Sequence, residues 1–431
     1  MRYRRLKVGL AIVGSLGAAL TLVAQPAFAD YAPTQKDVVG VGSDTLQYML
    51  DFVADGDYVS DTGFNSAAPK FHIVNFDATA DANARLAYGP AGVGPTGTGA
   101  VCPPGNGVGT GTGSNPGTVG PCILNPTIVL RAGQRPVQRP NGSGAGAKAL
   151  AGDTSHFITY IRASACEGPT TGCPGTLNNT FDSVQLGTDP LAMLVTNSTH
   201  AVALSAAQLN LIYSCSGGSG PNGSLTWNDP RIGGTSTDPI IPIIPQVGSG
   251  TRSFFLGQIG NPTVGPCVVT GEENDPTALS AQSSPNDAIE PMSGGRLNLF
   301  QGVIGSPVGG TSGTGGYFQD PTCPIQAIEA GSGNCASPAN QINPAVHLQT
   351  TGTPGGSVGG SLFDVSRPLY VYFRDSDLNS TAVWQPGGTL NQIKTVFWNP
   401  TGTSFVCSAA GQALIAAAGV NATCNFTPGG P

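Results

Sequence analysis

Residues 240–255 decide the fold, and they read Ile-Ile-Pro-Ile-Ile-Pro-Gln-Val-Gly-Ser-Gly-Thr-Arg-Ser-Phe-Phe. The apolar run 240–244 predicts a buried strand, and residues 253–259 predict a helix. The Gly-Ser-Gly-Thr turn between them collects unpaired backbone N–H groups and the positive end of a helix dipole. This order of strand, turn and helix predicts an α/β unit whose turn suits an anion.

Two more turns repeat this pattern. Gly42-Ser-Asp-Thr lies between a predicted strand and a predicted helix within 37–53, and Asn141-Gly-Ser-Gly-Ala-Gly opens a helix within 139–152. Glycine lets a ligand approach the backbone, and the hydroxyl groups add hydrogen-bond donors. Each turn taken alone is explained as well by helix capping. Because all three turns follow a predicted strand and open a predicted helix, we predict that they converge on a single anion.

Apolar segments of strand and helix character alternate along the rest of the chain. Strands are predicted over 70–76, 128–130, 157–161, 191–196 and 369–373, and helices over 205–213, 390–398 and 408–418. Gly-rich stretches predict loops at 89–126, 309–316 and 352–360. Such an alternation is typical of an α/β fold.

The composition excludes one class of partner and permits a folded core. The chain has 18 Lys and Arg against 25 Asp and Glu, a formal charge of −7, so no nucleic-acid partner is expected. Of the 431 residues 39% are hydrophobic, which is enough for a core despite 63 Gly and 36 Pro. The length allows two or three domains of roughly 150 residues each.

The first 29 residues predict an export signal. Residues 1–7 are basic, residues 8–24 are apolar, and Ala27-Phe-Ala predicts cleavage after Ala29. The alternative is an uncleaved membrane anchor. The first cysteine of the chain is Cys102, so no lipid-anchor Cys is expected. We therefore expect a secreted, cell-surface or periplasmic protein.

The ten cysteines agree with export, because disulfides form in oxidising compartments. Pairing of chain neighbours is the simplest prediction, which gives 102–122, 166–173, 215–267, 323–335 and 407–424. The sequence has no CxxC motif, and its four His are not at zinc-ligand spacing. No metal site and no cofactor are expected.

Taken in order along the chain, several segments resemble the phosphate-binding proteins of ABC importers. Val247-Gly-Ser-Gly-Thr-Arg-Ser-Phe-Phe resembles the central ligand motif of that family. Two earlier segments of this sequence resemble the helix and the W-x-D segment that precede the motif in the family: Leu204-Ser-Ala-Ala-Gln-Leu-Asn-Leu-Ile-Tyr and Leu225-Thr-Trp-Asn-Asp. The other ligand loops and the return strand resemble Val41-Gly-Ser-Asp-Thr, Arg139-Pro-Asn-Gly-Ser-Gly-Ala-Gly, Ile158-Thr-Tyr-Ile-Arg-Ala-Ser and Leu369-Tyr-Val-Tyr-Phe. The likeness spans most of 37–400, and secreted actinobacterial-type variants with Gly/Cys-rich insertions are most similar.

The resemblance implies an α/β fold of periplasmic-binding-protein type II, with two hinged lobes that each hold a mixed sheet flanked by helices, plus Gly/Cys-rich loop insertions. The implied boundaries are a signal peptide at 1–29, a first lobe at 30–193 with a loop insertion at 89–127, a second lobe at 194–366, and a return to the first lobe over 367–431. The ligand-binding residues that it implies are Ser43, Asp44, Thr45, Arg139, Ser143, Gly144, Arg162, Ser164, Ser249, Gly250, Thr251 and Arg252.

The sequence departs from the family pattern at its charged positions. Ser164 stands where the family has an aspartate that accepts a hydrogen bond from protonated phosphate, and Arg252 follows the central motif instead of preceding it. Asp44 either supplies the missing acceptor or caps its own helix. The alternative for Arg162 and Arg252 is a structural ion pair with Glu272, Glu273 or Glu290. Discrimination between phosphate and sulfate is therefore left open.

Together these features predict a monomeric, secreted solute-binding protein, not an enzyme, that captures phosphate or a related oxyanion for import through an ABC permease. The first alternative is a secreted or cell-surface protein that keeps the fold for adhesion, which the missing lipid-anchor Cys favours. The second alternative is a phosphate-ester hydrolase, for which the chain offers neither a nucleophile–base motif nor metal-ligand spacing.

Overall fold

The structure is a computed structural model, and it describes residues 33–57, 61–67, 69–78, 127–169, 175, 177–196, 200–275, 277–280, 282–301, 346–348, 363–380 and 392–430. The predicted export signal and the Gly-rich loops at 89–126, 309–316 and 352–360 lie outside these residues. Among the described residues, no helix combines the length and the apolar character needed to cross a membrane.

The described strands in chain order are β1 (Val38–Gly42), β2 (Ile73–Asn75), β3 (Thr127–Ile128), β4 (Val137–Gln138), β5 (Tyr160–Ala163), β6 (Phe181–Thr196), β7 (Ile241–Pro245), β8 (Val269–Gly271), β9 (Ala288–Ser293), β10 (Val346–Leu348), β11 (Asp364–Arg374) and β12 (Asn421–Thr427). The α-helices are α1 (Gln47–Asp55), α2 (Ser143–Gly152), α3 (Ala206–Tyr213), α4 (Gly250–Gln258), α5 (Thr277–Ser280), α6 (Gly294–Gln301), α7 (Asp375–Leu378), α8 (Gln392–Val396) and α9 (Ala409–Ala417).

Ten of these strands form one mixed sheet in the order β2-β1-β5-β11-β6-β9-β7-β8, with β10 and β12 also paired to β6. The long strands β6 and β11 make an antiparallel ribbon at its centre. Parallel strands β2, β1 and β5 lie on one side of the ribbon, and parallel strands β9, β7 and β8 lie on the other. The predicted α/β class with a mixed sheet is confirmed, whereas the division into two hinged lobes stays a prediction.

The register of the ribbon brings the carboxyl ends of both parallel sets to one place. Residues 161–163 of β5 lie opposite 372–370 of β11, so the end of β5 points towards Arg367. Residues 290–293 of β9 lie opposite 194–191 of β6, so the end of β9 points towards Asp189. Arg367 and Asp189 are themselves register partners in the ribbon. The loops that follow the parallel strands therefore approach this pair from both sides.

Local capping signals set the starts of the helices. The Ser205 side chain accepts from the backbone N–H of Gln208, whose own side chain accepts from Ser205 N–H, so α3 begins with a capping box. Ser408 caps α9 through its side chain, which accepts from the backbone N–H of Gly411. Helix α4 begins three residues earlier than predicted, because its cap is Ser249 inside the Gly-Ser-Gly-Thr turn.

The two central strands are longer than the sequence predicted. Strand β6 spans 16 residues where 191–196 was expected, and β11 spans 11 where 369–373 was expected. The parts of both strands that precede the predicted segments contain polar residues that interrupt the apolar pattern, such as Asp189 and Arg367. These side chains satisfy each other across the ribbon, so the strands continue through them.

Two of the predicted disulfides are confirmed. Cys215 pairs with Cys267, and Cys407 pairs with Cys424, which joins the start of α9 to β12. Cys166 is also disulfide-bonded. The predicted partner of Cys166, Cys173, and the predicted pairs 102–122 and 323–335 lie outside the described residues.

Candidate functional site: a buried hydroxyl cradle

Five of the predicted ligand-binding side chains meet in one place, which we call the hydroxyl cradle: Ser43, Thr45, Ser143, Ser164 and Thr251. Ser43 Oγ donates to Ser164 Oγ at 2.9 Å, and Ser143 Oγ lies 3.4 Å from the same atom. Thr45 Oγ1 lies 3.3 Å from Thr251 Oγ1. All five are buried, with Thr45 the most exposed at 5%. The three turns singled out in the sequence thus come together.

Glycine makes this close approach possible at two positions. A Cβ atom at Gly250 would lie 2.2 Å from Ser143 Oγ and 2.5 Å from Ser164 Oγ. At Gly142 the backbone has a φ of 95°, and a Cβ atom would lie 2.3 Å from the carbonyl oxygen of Gly248. That carbonyl accepts from the N–H of Gly144 at 3.1 Å, which fastens the second turn to the third. A larger side chain at 142 or 250 would separate the loops.

The carboxylate of Glu273 lies at the centre of the cradle. Its Oε1 atom accepts from Thr251 Oγ1 at 2.6 Å, Thr45 Oγ1 at 3.0 Å, Thr251 N at 3.2 Å and Ser164 Oγ at 3.3 Å. Glu273 is fully buried, and its own N–H donates to Gln246 Oε1 at 2.9 Å. One carboxylate oxygen therefore takes the position on which the donors converge.

Arg367 is the cation of the cradle. Its Nη1 atom donates to Thr251 Oγ1 at 2.7 Å, and its Nη2 atom donates to Thr45 Oγ1 at 3.3 Å. The same guanidinium binds Asp189 Oδ2 through Nε at 3.0 Å and Nη2 at 2.9 Å, and both residues are fully buried. The planar fork of arginine suits this arrangement, because it holds one carboxylate and two hydroxyls at fixed angles.

A second buried ion pair stands beside the first loop. Asp44 Oδ2 accepts from Arg296 Nη2 at 3.2 Å and from Asn274 Nδ2 at 3.3 Å. The guanidinium of Arg296 also lies 3.9 Å from the ring centroid of Tyr48. Helix α1 has Leu46 as its N-cap and no side-chain cap, so the alternative in which Asp44 caps this helix is wrong, while its role as an acceptor for the anion stays a prediction. Its carboxylate neutralises Arg296 instead.

Three predicted ligand arginines contact backbone carbonyls. Arg162 donates through Nε to the carbonyl of Ser43 at 2.9 Å, and so it fixes the backbone of the first loop. Arg252 donates through Nη1 to the carbonyl of Pro245 at 2.8 Å, and Arg139 Nη1 donates to the carbonyl of Asp77 at 2.9 Å. Burial lowers the pKa of both Arg162 and Arg252. These contacts hold the backbone beside the cradle, and the ligand contacts predicted for Arg162 and Arg252 stay a prediction.

Two further predicted ligands are already used within their turns. The hydroxyl of Ser249 accepts from the N–H of Arg252 at 3.1 Å and caps α4. The N–H of Gly144 donates to the carbonyl of Gly248. Both contacts shape the turns beside the cradle, and the ligand roles predicted for Ser249 and Gly144 stay predictions.

Sequence reasoning missed Arg367 as a site residue and weighed Glu273 only as an ion-pair partner. A sequence signal existed for Arg367, which lies two residues before the predicted strand 369–373, so extending that strand would have placed it in the ribbon. For Glu273 the evidence is structural: it follows β8, which was not predicted, and the parallel pairing of β8 with β7 brings its loop to the same edge of the sheet as the Gly-Ser-Gly-Thr turn.

A group of acidic side chains lies next to the loop that carries Glu273. Burial, followed by the charges of Asp275 and Glu272, raises the pKa of Glu290 well above its usual range. Among the described residues, neither carboxyl oxygen of Glu290 has a hydrogen-bond partner. Glu290 is therefore held in its neutral form under conditions where an exposed glutamate is ionised.

One other group of charged side chains has the composition of a cation site. Atoms of His200, Asp238 and Asp287 lie within 4.8 Å of one another. His200 Nδ1 is 2.7 Å from Asp287 Oδ1, and this oxygen also accepts from Trp227 Nε1 at 2.8 Å. Ser284 Oγ donates to the other carboxylate oxygen of Asp287. These bonds give the group a structural role that needs no ion.

The fold and the cradle together define a class: an α/β protein with a donor-lined, buried site at the carboxyl ends of its parallel strands. No protein-family model and no curated protein sequence matches the chain. Solved structures that resemble it include an ABC-type phosphate transport receptor from Vibrio cholerae, with 13% identity and a TM-score of 0.43 over 90% of this chain and 100% of that one.

PstS from Borrelia burgdorferi is also similar, with 11% identity and a TM-score of 0.36 over 90% of this chain and 98% of that one. A phosphate-binding protein from Stenotrophomonas maltophilia has 15% identity and a TM-score of 0.29 over 54% and 70% of the two chains. These proteins are of the class that the sequence motifs resemble. Because the identities are this low, the ligand of the present chain has to be inferred from its own site.

Proposed function

We propose that this chain is a solute-binding protein that holds phosphate, or a related tetrahedral oxyanion, in the hydroxyl cradle. One observation carries the proposal: donors from three chain-distant loops converge on a single oxygen position, where Glu273 Oε1 now lies. Such a convergence of buried donors is costly unless an acceptor is present.

The donors have the chemistry that an oxyanion requires. They comprise serine and threonine hydroxyls, the N–H of Thr251 at the start of α4, and the guanidinium of Arg367. The dipole of α4 adds positive potential at the same point. Phosphate is the first candidate because the ligand loops resemble those of phosphate-binding proteins. Sulfate stays in the comparison because Ser164 replaces the family aspartate.

Binding would be reversible and would break no bond, so we propose that the protein has a transport role and acts as a monomer. A permease of the ABC type would receive the anion, and the predicted export signal would place the protein outside the cytoplasm. The predicted cleavage site is checked by amino-terminal sequencing of the secreted protein, which should begin at Asp30.

The cradle is tested by calorimetric titration of the anion-stripped protein with phosphate, sulfate and arsenate. Thr251→Val removes the hydroxyl that contacts both Glu273 and Arg367, and it should weaken phosphate binding by at least about tenfold, because a charge-assisted hydrogen bond is worth about 1.5–3 kcal/mol. Gly257→Ala is the matched control from the helix that Thr251 opens, since a Cβ atom there meets nothing within 4 Å, and it should keep the wild-type affinity. If both variants changed the phosphate affinity equally, the assignment of the hydroxyl cradle as the anion site would be wrong.

Two other experimental results would support a different function. Thr251 Oγ1 lies 2.6 Å from Glu273 Oε1, which is also the distance between a hydroxyl nucleophile and a carboxylate base. Release of nitrophenol from p-nitrophenyl phosphate by the wild type, lost in Thr251→Val, would establish the hydrolase. Absence of binding for all three anions would favour the adhesion protein.

A further inference from the structure

Glu273 is an imperfect occupant of the hydroxyl cradle. Its Oε1 atom accepts four hydrogen bonds. Within the described part of the chain, its buried Oε2 atom has no hydrogen-bond partner. A buried carboxylate that is satisfied on one side only carries an uncompensated desolvation cost.

The charge of Glu273 is also not balanced by a cation of its own. Arg367 is paired with Asp189, and Arg296 is paired with Asp44. Among the described residues, Glu273 forms no ion pair with an arginine, lysine or histidine. Its negative charge is held by hydroxyl groups and by the start of α4.

The position of Glu273 Oε1 is the position that an external oxyanion needs. Thr45, Ser164 and Thr251 cannot donate the same protons to both acceptors, and two negative charges in one desolvated cradle repel each other. A tetrahedral anion also has enough oxygen atoms to reach Ser43 and Ser143, whose hydroxyls now contact Ser164. An anion of this shape satisfies more donors than one carboxylate oxygen does.

Building on the proposed function, we infer that Glu273 is a built-in competitor of the ligand. Its carboxylate fills the anion position in the anion-free protein and leaves that position when the external anion binds. The affinity for the external anion is then reduced by the stability of the Glu273 contacts. Glu273 is thereby a specificity-determining residue: it excludes monocarboxylates, which offer no more acceptor oxygens than it does, and yields to tetrahedral oxyanions.

The test compares the wild type with Glu273→Ala, Glu273→Gln and Glu272→Gln. Glu272 is the neighbouring buried glutamate, and its Oε1 accepts from Asn141 at 2.8 Å and Gln246 at 3.2 Å outside the cradle. Glu272→Gln therefore removes the same charge without emptying the anion position. Phosphate affinity is measured by calorimetry, and the melting temperature is measured with and without sodium formate.

Glu273→Ala should bind phosphate at least about tenfold more tightly than the wild type, whereas Glu272→Gln should stay within about threefold. Formate should raise the melting temperature of Glu273→Ala and leave the wild type and Glu272→Gln unchanged, because only the alanine variant has a vacant carboxylate position. Glu273→Gln keeps the side-chain volume, so it should tighten phosphate binding to a smaller extent. This variant serves as the test if Glu273→Ala does not fold.

Three results would overturn the inference. Weaker phosphate binding in both Glu273 variants would make Glu273 an acceptor for a protonated anion. If Glu272→Gln tightened phosphate binding as much as the Glu273 variants do, loss of a nearby negative charge would explain the gain without any competition for the anion position. Absence of formate stabilisation in Glu273→Ala would show that the carboxylate position is not an anion site. If no variant and no wild type binds phosphate, the proposed function itself fails, which is a different outcome from all three.

Discussion

A single added methyl group at Gly250 should close the hydroxyl cradle. In Gly250→Ala the new Cβ atom would lie 2.2 Å from Ser143 Oγ and 2.5 Å from Ser164 Oγ. Carbon and oxygen atoms in contact require more than about 3 Å, so both hydroxyls must move by roughly 1 Å. The position has no left-handed backbone, so the effect is one of space alone.

The displacement breaks two hydrogen bonds inside the cradle. Ser143 Oγ accepts from the N–H of Ser164 at 3.0 Å, and Ser43 Oγ donates to Ser164 Oγ at 2.9 Å. At about 1–1.5 kcal/mol each, their loss should lower the free energy of unfolding by about 2–3 kcal/mol. Because the hydroxyls of Ser143 and Ser164 are also displaced from the anion position, phosphate binding should weaken by at least about tenfold. Calorimetric titration of the anion-stripped variant measures this change.

Gly257→Ala is the matched control. It lies in the same helix, and a Cβ atom there meets nothing within 4 Å. Alanine in place of glycine inside a helix should raise stability by about 0.5–1 kcal/mol, while phosphate affinity stays at the wild-type value. Unchanged phosphate affinity in Gly250→Ala, with a gain in melting temperature like that of Gly257→Ala, would refute the geometry of the cradle.

Three further predictions concern stability. Because the pKa of Glu290 is raised in the folded protein, its ionisation opposes folding, and the free energy of unfolding should fall by up to about 1.4 kcal/mol per pH unit above the usual glutamate pKa. In urea unfolding, the gain in unfolding free energy of Glu290→Gln over the wild type should therefore grow from pH 4 to pH 8. A gain that is independent of pH would contradict this. The double variant Cys215→Ala/Cys267→Ala should lose about 2–4 kcal/mol of unfolding free energy while it still binds phosphate; an unchanged urea midpoint would speak against a structural bridge. Ser205→Ala removes a capping box and should cost about 1 kcal/mol by the same assay, and a lowered phosphate affinity would be an unexpected link to the cradle.

The predicted features that survive in the structure are mostly local. The helices predicted over 205–213 and 408–418 depend on residues within a few positions of each other, and the structure has both, as α3 and α9. The disulfides 215–267 and 407–424 follow from pairing of chain neighbours. The prediction was weaker where polar side chains enter a central strand, because burial of Asp189 and Arg367 is decided by their pairing and not by hydropathy.

By itself, the sequence determined that three Gly/Ser/Thr turns each connect a strand to a helix, because hydropathy period and turn residues act within about ten positions. It did not determine which charges accompany those turns. Arg367 contacts Thr251 across 116 positions of the chain and Thr45 across 322, and Glu273 contacts Thr45 across 228. Only the register of the β6–β11 ribbon brings these groups together, since a shift of one residue between the two strands would put Arg367 and Asp189 on opposite faces of the sheet.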